Sequence, residues 1–443
     1  MQALILAAGK STRTFPLTAN KPKALLPVLD TTIIEHNLNE LSGLVEEAVI
    51  VVGFKKQMII DRLGTVFRGK YGSIRLVYAE QKQQLGTANA VLSAESHIKG
   101  RFIVVYGDDI NSRKNFEAVI SKNSYAVLGK KVDNPENFGV FVLKAGHLEK
   151  IVEKPKEFIS DIANFGCYLF DRHVFQLLRD IRLSERKEYE LTDIIGLLSK
   201  TEKIAPVIAE DYILPVVFPW SLLEANVFLL NRIYNNKSNN TNKSNNTDSN
   251  LGNNSANIFK GKNVFIGENV VLKGTVVIGD NTSIKANTYI EGPAFIGKNC
   301  TIGPFAHIRP DTIILDNCEI GKTELYDVLI MSNVKSKHAA YIAHSVIGNN
   351  VNIAAGTITA DYRHDGKEHT TLINGKKVKT NRRKLGAFIG DNAKTGIGTL
   401  IYPGRKLWPS ATTLPGEIVK YDKTDSSSMV TKNNETRSET KQN

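Results

Sequence analysis

Ten aliphatic residues stand six positions apart without a slip: Ile266, Leu272, Ile278, Ile284, Ile290, Ile296, Ile302, Ile308, Ile314 and Ile320. A helix repeats at about 3.6 residues and a half-buried strand at about 2, so neither gives such a run. A hexapeptide β-helix does, because each turn of three short strands points one aliphatic inward per strand. Gly and Asn near the corners, as in IGEN, IGDN and IGKN, suit tight turns. The register blurs after 320, returns at Ile347 and Ile353, and returns again at Ile389. Between Thr359 and Gly386 a segment is expected to loop out of the prism.

The first half follows another rule. Apolar runs at 3–7, 48–52, 74–78 and 102–106 alternate with helical patterns at 31–42, 55–67 and 87–95. Such alternation predicts a mostly parallel, doubly wound α/β sheet of Rossmann-like type, with ligands at the carboxyl ends of its strands. Residues 221–234 read as a helix with an apolar face. Residues 235–257 hold eleven asparagines in twenty-three positions, too polar to build a core. The expected division is therefore an α/β domain over 1–234, a linker over 235–257, a β-helix over 258–420 and a disordered tail over 421–443.

A chain of 443 residues and formal charge +12 has room for two or three cores and attracts anions. No helix-turn-helix, finger or RNA-binding pattern is present, so phosphorylated small molecules are the expected partners and nucleic acid is not. No apolar run is long enough to span a membrane, and the strand-like opening QALILAAG gives no reason to expect a cleaved signal. Three scattered cysteines (Cys167, Cys300, Cys318) offer no disulfide framework or zinc site, which points to a cytoplasmic setting.

The opening LILAAGKSTRTFPLTANKPKALLPV places a Gly-containing loop after a strand, then Arg13 and Lys23. Backbone amides and two fixed cations suit a triphosphate. This string, and the 230 residues it opens, resembles the sugar-1-phosphate nucleotidyltransferases, whose pattern is Leu-Ala-Ala-Gly-x-Gly-Thr-Arg followed by Pro-Lys. The resemblance implies Arg13 and Lys23 as catalytic cations and Gly9, Gln81, Gly86 and Thr87 as nucleotide-binding residues. It places Asp108 of VVYGDDI on Mg²⁺, and Gly139, Glu153, Lys154 and Asn164 around the sugar. Metal and cations then carry charge while a sugar phosphate attacks the α-phosphorus and pyrophosphate leaves. The chain departs from the pattern at Ser11, in place of the second glycine, and at Ser221, where related sequences often have Asp. It departs also at Pro215, which stands where a second metal-binding Asp is usual. Asp109 or Asp211 are the candidates to compensate.

In the second half, NVKSKHAAYIAHSVIGNNVNIAAGTITADYRHDGK closely resembles the acetyltransferase half of bifunctional amino-sugar-1-phosphate acetyltransferase/uridylyltransferases, and the archaeal type above all. The resemblance implies a left-handed parallel β-helix that forms a homotrimer, with acetyl-CoA and UTP as co-substrates. It makes His338 the general base and Tyr341 its catalytic companion. Arg309, Asn352, Asp361, Tyr362 and Lys367 would hold the sugar phosphate, and the amides around Gly390 and Thr395 the acetyl-CoA arm. A neutral imidazole, available near pH ~6.5, can take the proton as an amine attacks the thioester. Asp361 stands where the family has Asn, and Tyr326 where bacterial members have a phosphate-binding lysine. His344 is expected to face solvent or a neighbouring chain. Six basic residues within 376–384 form either a solvated arm or a contact for cofactor phosphates. The expected activity is acetylation of glucosamine 1-phosphate or its galacto isomer, then UMP transfer to give UDP-N-acetylhexosamine. The alternatives are an acetyltransferase with a silent head, and a glucose-1-phosphate nucleotidyltransferase whose prism only trimerises.

Overall fold

The computed structural model describes residues 1–241 and 257–424. It divides into two compact units: Met1–Ser11, Lys21–Leu26 and Thr31–Val216 form one, and Thr12–Asn20, Pro27–Asp30 and the chain from Val217 onward form the other.

The first unit is built on the strand Gln2–Leu6, whose five residues QALIL are all buried. It pairs in parallel with Glu47–Val52 on one side and Phe102–Tyr106 on the other, and Glu47–Val52 pairs in parallel with Gly72–Glu80. These are the four strands expected from the apolar runs. Beyond them the sheet turns antiparallel, through Ile162–Phe170, Gly139–Lys144 and His147–Glu153 on one edge and Val66–Gly69 on the other. The sheet is therefore mixed, with a parallel centre, and hairpins add its outer strands at Gly139–Lys144 with His147–Glu153 and at Val66–Gly69 with Gly72–Glu80. The expected helix at 55–67 ends at Leu63, and Val66–Gly69 becomes that edge strand. The helix Ile33–Leu41 starts where Thr32 and Glu35 close a capping box, satisfying two orphan donors, and buries Ile33, Ile34, Leu38 and Leu41.

The second unit is a left-handed parallel β-helix. Nine of the ten six-spaced aliphatics lie fully inside its core, and Ile266, at the open end, packs against it partly buried. One column shows the logic: Ile278, Ile296, Ile314, Ile330, Ile347, Ile389 and Leu407 are register partners in successive coils. The coil from Ile314 to Ile330 closes two residues early and the next one residue early, which is why the repeat blurs after 320. Corners are turned by residues in the left-handed region, chiefly Asn: Asn269, Asn281 and Asn299, the Asn of IGEN, IGDN and IGKN, have φ of 55°, 57° and 55°. Asn tolerates that region better than other side chains. Their amides also bond from coil to coil, Asn263 to Asn281 to Asn299 to Asn317, each step eighteen residues.

The segment that leaves the prism forms an antiparallel hairpin, Thr370–Ile373 with Lys376–Lys379. The buried Lys406 ammonium donates to Thr371 Oγ1 and the Leu372 carbonyl, pinning that hairpin to the coils. The helix Pro219–Thr241 lies on the prism, with Trp220 against Phe388 and Asn231 bonded to Asp311. The border expected at 234 thus falls inside this helix, and the helix groups with the β-helix. The rest of the expected linker (242–256) and most of the expected tail (425–443) lie outside the described residues.

Candidate active sites

In the first unit, chemistry gathers at the carboxyl ends of the parallel strands. Gly107 and Asp108 follow Phe102–Tyr106, and the buried Lys23 ammonium lies 2.8 Å from Asp108 Oδ2. Gly9 stands in the loop after Gln2–Leu6. Ser11 takes φ +51°, so the family glycine is replaced by a residue that must itself enter the left-handed region. Gln81, buried just past Gly72–Glu80, donates to Gly86 O and Asn89 Oδ1, fixing the turn before the short helix Thr87–Leu92. Gly86, at φ +113°, lies where a Cβ would strike the Tyr189 backbone, and Leu191 N–H donates to Thr87 Oγ1. Arg13 is exposed on the turn Thr12–Thr14, which groups with the second unit.

The expected sugar residues come from adjacent antiparallel strands. Gly139 pairs with Glu153, and a side chain at 139 would collide with the Glu153 carboxylate. Burial raises the Glu153 carboxyl above its usual range, against the opposing pull of Arg186. Lys154, at φ +47°, donates its amide to Phe138 O. A register shift between Asn164 and Tyr168 turns Asn164 so that its amide donates to the Tyr168 hydroxyl at 2.7 Å. Gly166 inside that shift lies directly under the Tyr106 ring, where no Cβ would fit. Tyr106 and Tyr168 were not singled out in the sequence, since single tyrosines carry no spacing signal.

Among the described residues no three His, Cys, Asp or Glu side chains converge as a metal cluster. One strand-end carboxylate nevertheless suits Mg²⁺, which commonly takes one or two carboxylates and completes its shell with substrate phosphates and water. Pro215, at the end of Ile213–Pro215, is the register partner of Asp109 in an antiparallel pair. The carboxylate beside the missing ligand is therefore Asp109. Asp211 caps the Tyr212 amide, farther along the chain. The Ser221 hydroxyl accepts from Phe218 N–H at the start of the long helix, a capping role.

In the second unit, three successive coils bring their outward residues together. Arg309 follows one strand; Glu324 and Tyr326 lie on Thr323–Ile330, where Glu324 is the register partner of Tyr341. The Arg309 guanidinium bonds Glu324 at 3.1 Å and sits 4.1 Å from the Tyr326 ring centroid, with Lys384 Nζ at 5.6 Å from the same ring. Where a lysine was expected, Tyr326 thus gathers two cations. Burial, then the charges of Asp361 and Glu324, push the Tyr341 phenol up. His338 is exposed three residues before Tyr341, its carbonyl accepting from Thr323 Oγ1. Asn352, Tyr362 and Lys367 are exposed, Tyr362 bridging to Lys384.

One expectation for this face needs correction, and two others gain detail. His344 is 5% exposed and faces neither solvent nor an open surface. At φ +48° it takes a corner, and its ring lies between Asp327 and Asp361. The Gly390 and Thr395 amides donate to Leu407 O and Asn352 O, so the β-helix ladder already engages these two N–H groups. The basic segment is not wholly a solvated arm: Arg382 bonds Asp327 and Glu224, both at 2.9 Å. Asp327 escaped the sequence reading, and His344 was misplaced by it, because a six-residue pattern marks inward positions. Their kinship is one coil, seventeen residues.

The Nucleotidyl transferase family matches residues 2–232, the Bacterial transferase hexapeptide (six repeats) family 261–292, and the GMPPB C-terminal domain family 290–394. The Bifunctional protein GlmU of Methanocaldococcus jannaschii is 38% identical over 420 residues, 94% of each chain, and that of Methanococcus vannielii 36% over 417 residues, 92% of each. A bifunctional sugar-1-phosphate nucleotidylyltransferase/acetyltransferase of Sulfurisphaera tokodaii is 36% identical over 429 residues, 95% of this chain and 98% of its own. Identity of this order, running through sheet and prism alike, leads to one conclusion: the chain belongs to the GlmU family of bifunctional sugar-1-phosphate nucleotidylyltransferase/acetyltransferases.

Proposed function

We propose that this chain acetylates glucosamine 1-phosphate with acetyl-CoA, and then joins the product to UMP from UTP, releasing pyrophosphate. The observation that carries the reading is the outward cluster of Arg309, Glu324, Tyr326, Tyr341 and Asp361 on consecutive coils. A prism serving only as scaffold has no use for a convergent set of cations, carboxylates and phenols at one height. Arg309, Asn352, Tyr362 and Lys367 hold the sugar phosphate, and Tyr341 keeps the amine in line. The amine nitrogen bonds the thioester carbon, His338 takes the nitrogen's proton, the carbon–sulfur bond breaks, and His338 passes that proton to the departing sulfur, so that CoA leaves as the thiol and the imidazole is neutral again.

In the first unit, Gln81, Gly86 and Thr87 receive the base, and Gly139, Glu153, Lys154 and Asn164 the sugar. Lys23 binds the triphosphate, and the glycine of the first loop (Gly9) lets it approach the backbone. Asp108 would hold Mg²⁺, with Asp109 beside it; the ion, when bound, neutralises phosphate charge. The sugar phosphate attacks the α-phosphorus and pyrophosphate departs opposite.

Two further readings each have an observation in their favour. Pro215 favours a head that binds nucleotide without turnover. The match to the GMPPB C-terminal domain favours a prism that only assembles. A homotrimer is supported by Ile358, Leu400 and Ile418, which stack in register on one face yet stay 39–48% exposed in the single chain. A cytoplasmic setting accords with three free thiols, all buried. Among the described residues no helix is long and apolar enough to cross a membrane. Purified full-length protein should release pyrophosphate from UTP with N-acetylglucosamine 1-phosphate, and thiol from acetyl-CoA with glucosamine 1-phosphate. Thiol without pyrophosphate would mean a silent head; pyrophosphate without thiol would reduce the prism to a scaffold.

A further inference from the structure

The least expected feature of the second unit is an imidazole held between two carboxylates. His344 Nδ1 lies 2.7 Å from Asp327 Oδ2, and Nε2 lies 3.2 Å from Asp361 Oδ2, an ion-pair distance whose angles fall outside hydrogen-bond geometry. Asp327 is tied in turn to Arg382, and Arg382 to Glu224 of the long helix. The Tyr326 ring stands edge-on to the imidazole at 4.9 Å, backed by Arg309 and Lys384. The backbone at Asp361 is fixed as well, since its carbonyl accepts from Leu385 N–H and lies 2.9 Å from His369 Nε2. A carboxylate so constrained is placed rather than free.

We propose that His344 is a positioning residue of the acetyl-transfer site: clamped between Asp327 and Asp361, it fixes the Asp361 carboxylate three residues after Ile358, the register partner of Tyr341, and that carboxylate receives the ammonium form of the amino-sugar phosphate. The proposal deepens the acetyl-transfer reading and rests on it. The charge balance accords with the geometry. Burial works to lower the His344 pKa, but Asp327 and Asp361 outweigh it and raise the pKa above the usual 6.5. Burial works to raise the Asp361 carboxyl, yet His344 and Lys384 hold it below its usual range. The groups facing His344 are therefore Asp327 and Tyr326 from the preceding coil, Asp361 from the following loop, and Arg382 and Lys384 from the basic segment, with Glu224 behind Arg382. An Asn at 361 would offer an amide and no charge, so the site would lose its preference for an ammonium over an acetamide.

Titration calorimetry of the full-length chain with glucosamine 1-phosphate and with N-acetylglucosamine 1-phosphate tests this. His344→Asn suits the corner, since Asn333 and Asn350 already turn corners at φ of 62° and 57°. Each of His344→Asn and Asp361→Asn should weaken binding of the amine about tenfold, the order lost with one hydrogen-bonded charge. Each should leave the N-acetyl compound unmoved, and the double variant should be no worse than Asp361→Asn alone. In the wild type, selectivity for the amine over the N-acetyl compound should fall as pH rises through the His344 titration, and His344→Asn should lose that limb and keep only the fall set by the amine's own deprotonation. Equal weakening of both sugars, multiplying effects in the double variant, or no weakening would each overturn the proposal. So would wild-type protein that binds no glucosamine 1-phosphate. Thiol release from acetyl-CoA is read separately: binding with the predicted selectivity but no thiol would overturn the acetylation reading and leave the His344–Asp361 clamp standing.

Discussion

His344 shows how one buried group couples charge to fold. Its pKa is raised in the folded chain, so its ion pairs contribute fully below about pH 6.5, where the unfolded residue is protonated too. That contribution is lost as pH rises through the higher folded value. The melting temperature of wild type relative to His344→Asn should therefore shift in favour of the variant between about pH 6 and about pH 9. A difference that widens in favour of the wild type would contradict this sign. His338 stands in contrast: it is exposed, so His338→Ala should leave melting unchanged while cutting thiol release about 10²- to 10⁴-fold, the usual range for a general base.

At the scale of elements, the prism is held by repetition, and any coil can report on it. Ile296 is fully buried between Ile278 and Ile314, so Ile296→Ala should cost about 2–5 kcal/mol in denaturant unfolding of the second unit. At the corner, Asn299 has φ +55° and bonds both neighbouring amides. Asn299→Ala should cost about 1–2 kcal/mol, and Asn299→Gly less, because Gly escapes the left-handed penalty but still loses the ladder. Equal costs would place the whole effect in the side-chain bonds. In the first unit, the central strands were legible because a buried parallel strand reads as an unbroken apolar run. The antiparallel edges were not, since their hairpins mix polar and apolar residues without a fixed period.

At the scale of the whole molecule, the proposed reading gives two chemistries to one chain with separate sets of residues. Lys23→Met should abolish pyrophosphate release, by about 10²-fold or more, and leave thiol release intact, while His338→Ala should do the reverse. Loss of both activities from either change would point to a folding defect. The sequence by itself determined the prism, because a six-residue aliphatic repeat has one packing solution, and it determined the family through its strand-end and prism motifs. It also pointed to most of the candidate residues, since loops after strands carry motifs in linear order. Only the tertiary structure decided that His344 lies inside between Asp327 and Asp361, that Asp109 is the carboxylate opposite Pro215, and that the helix after Val217 belongs with the prism. Each of those contacts joins residues from different coils or strands. Coil shortening and strand register set such pairings, and neither is written at a fixed spacing along the chain.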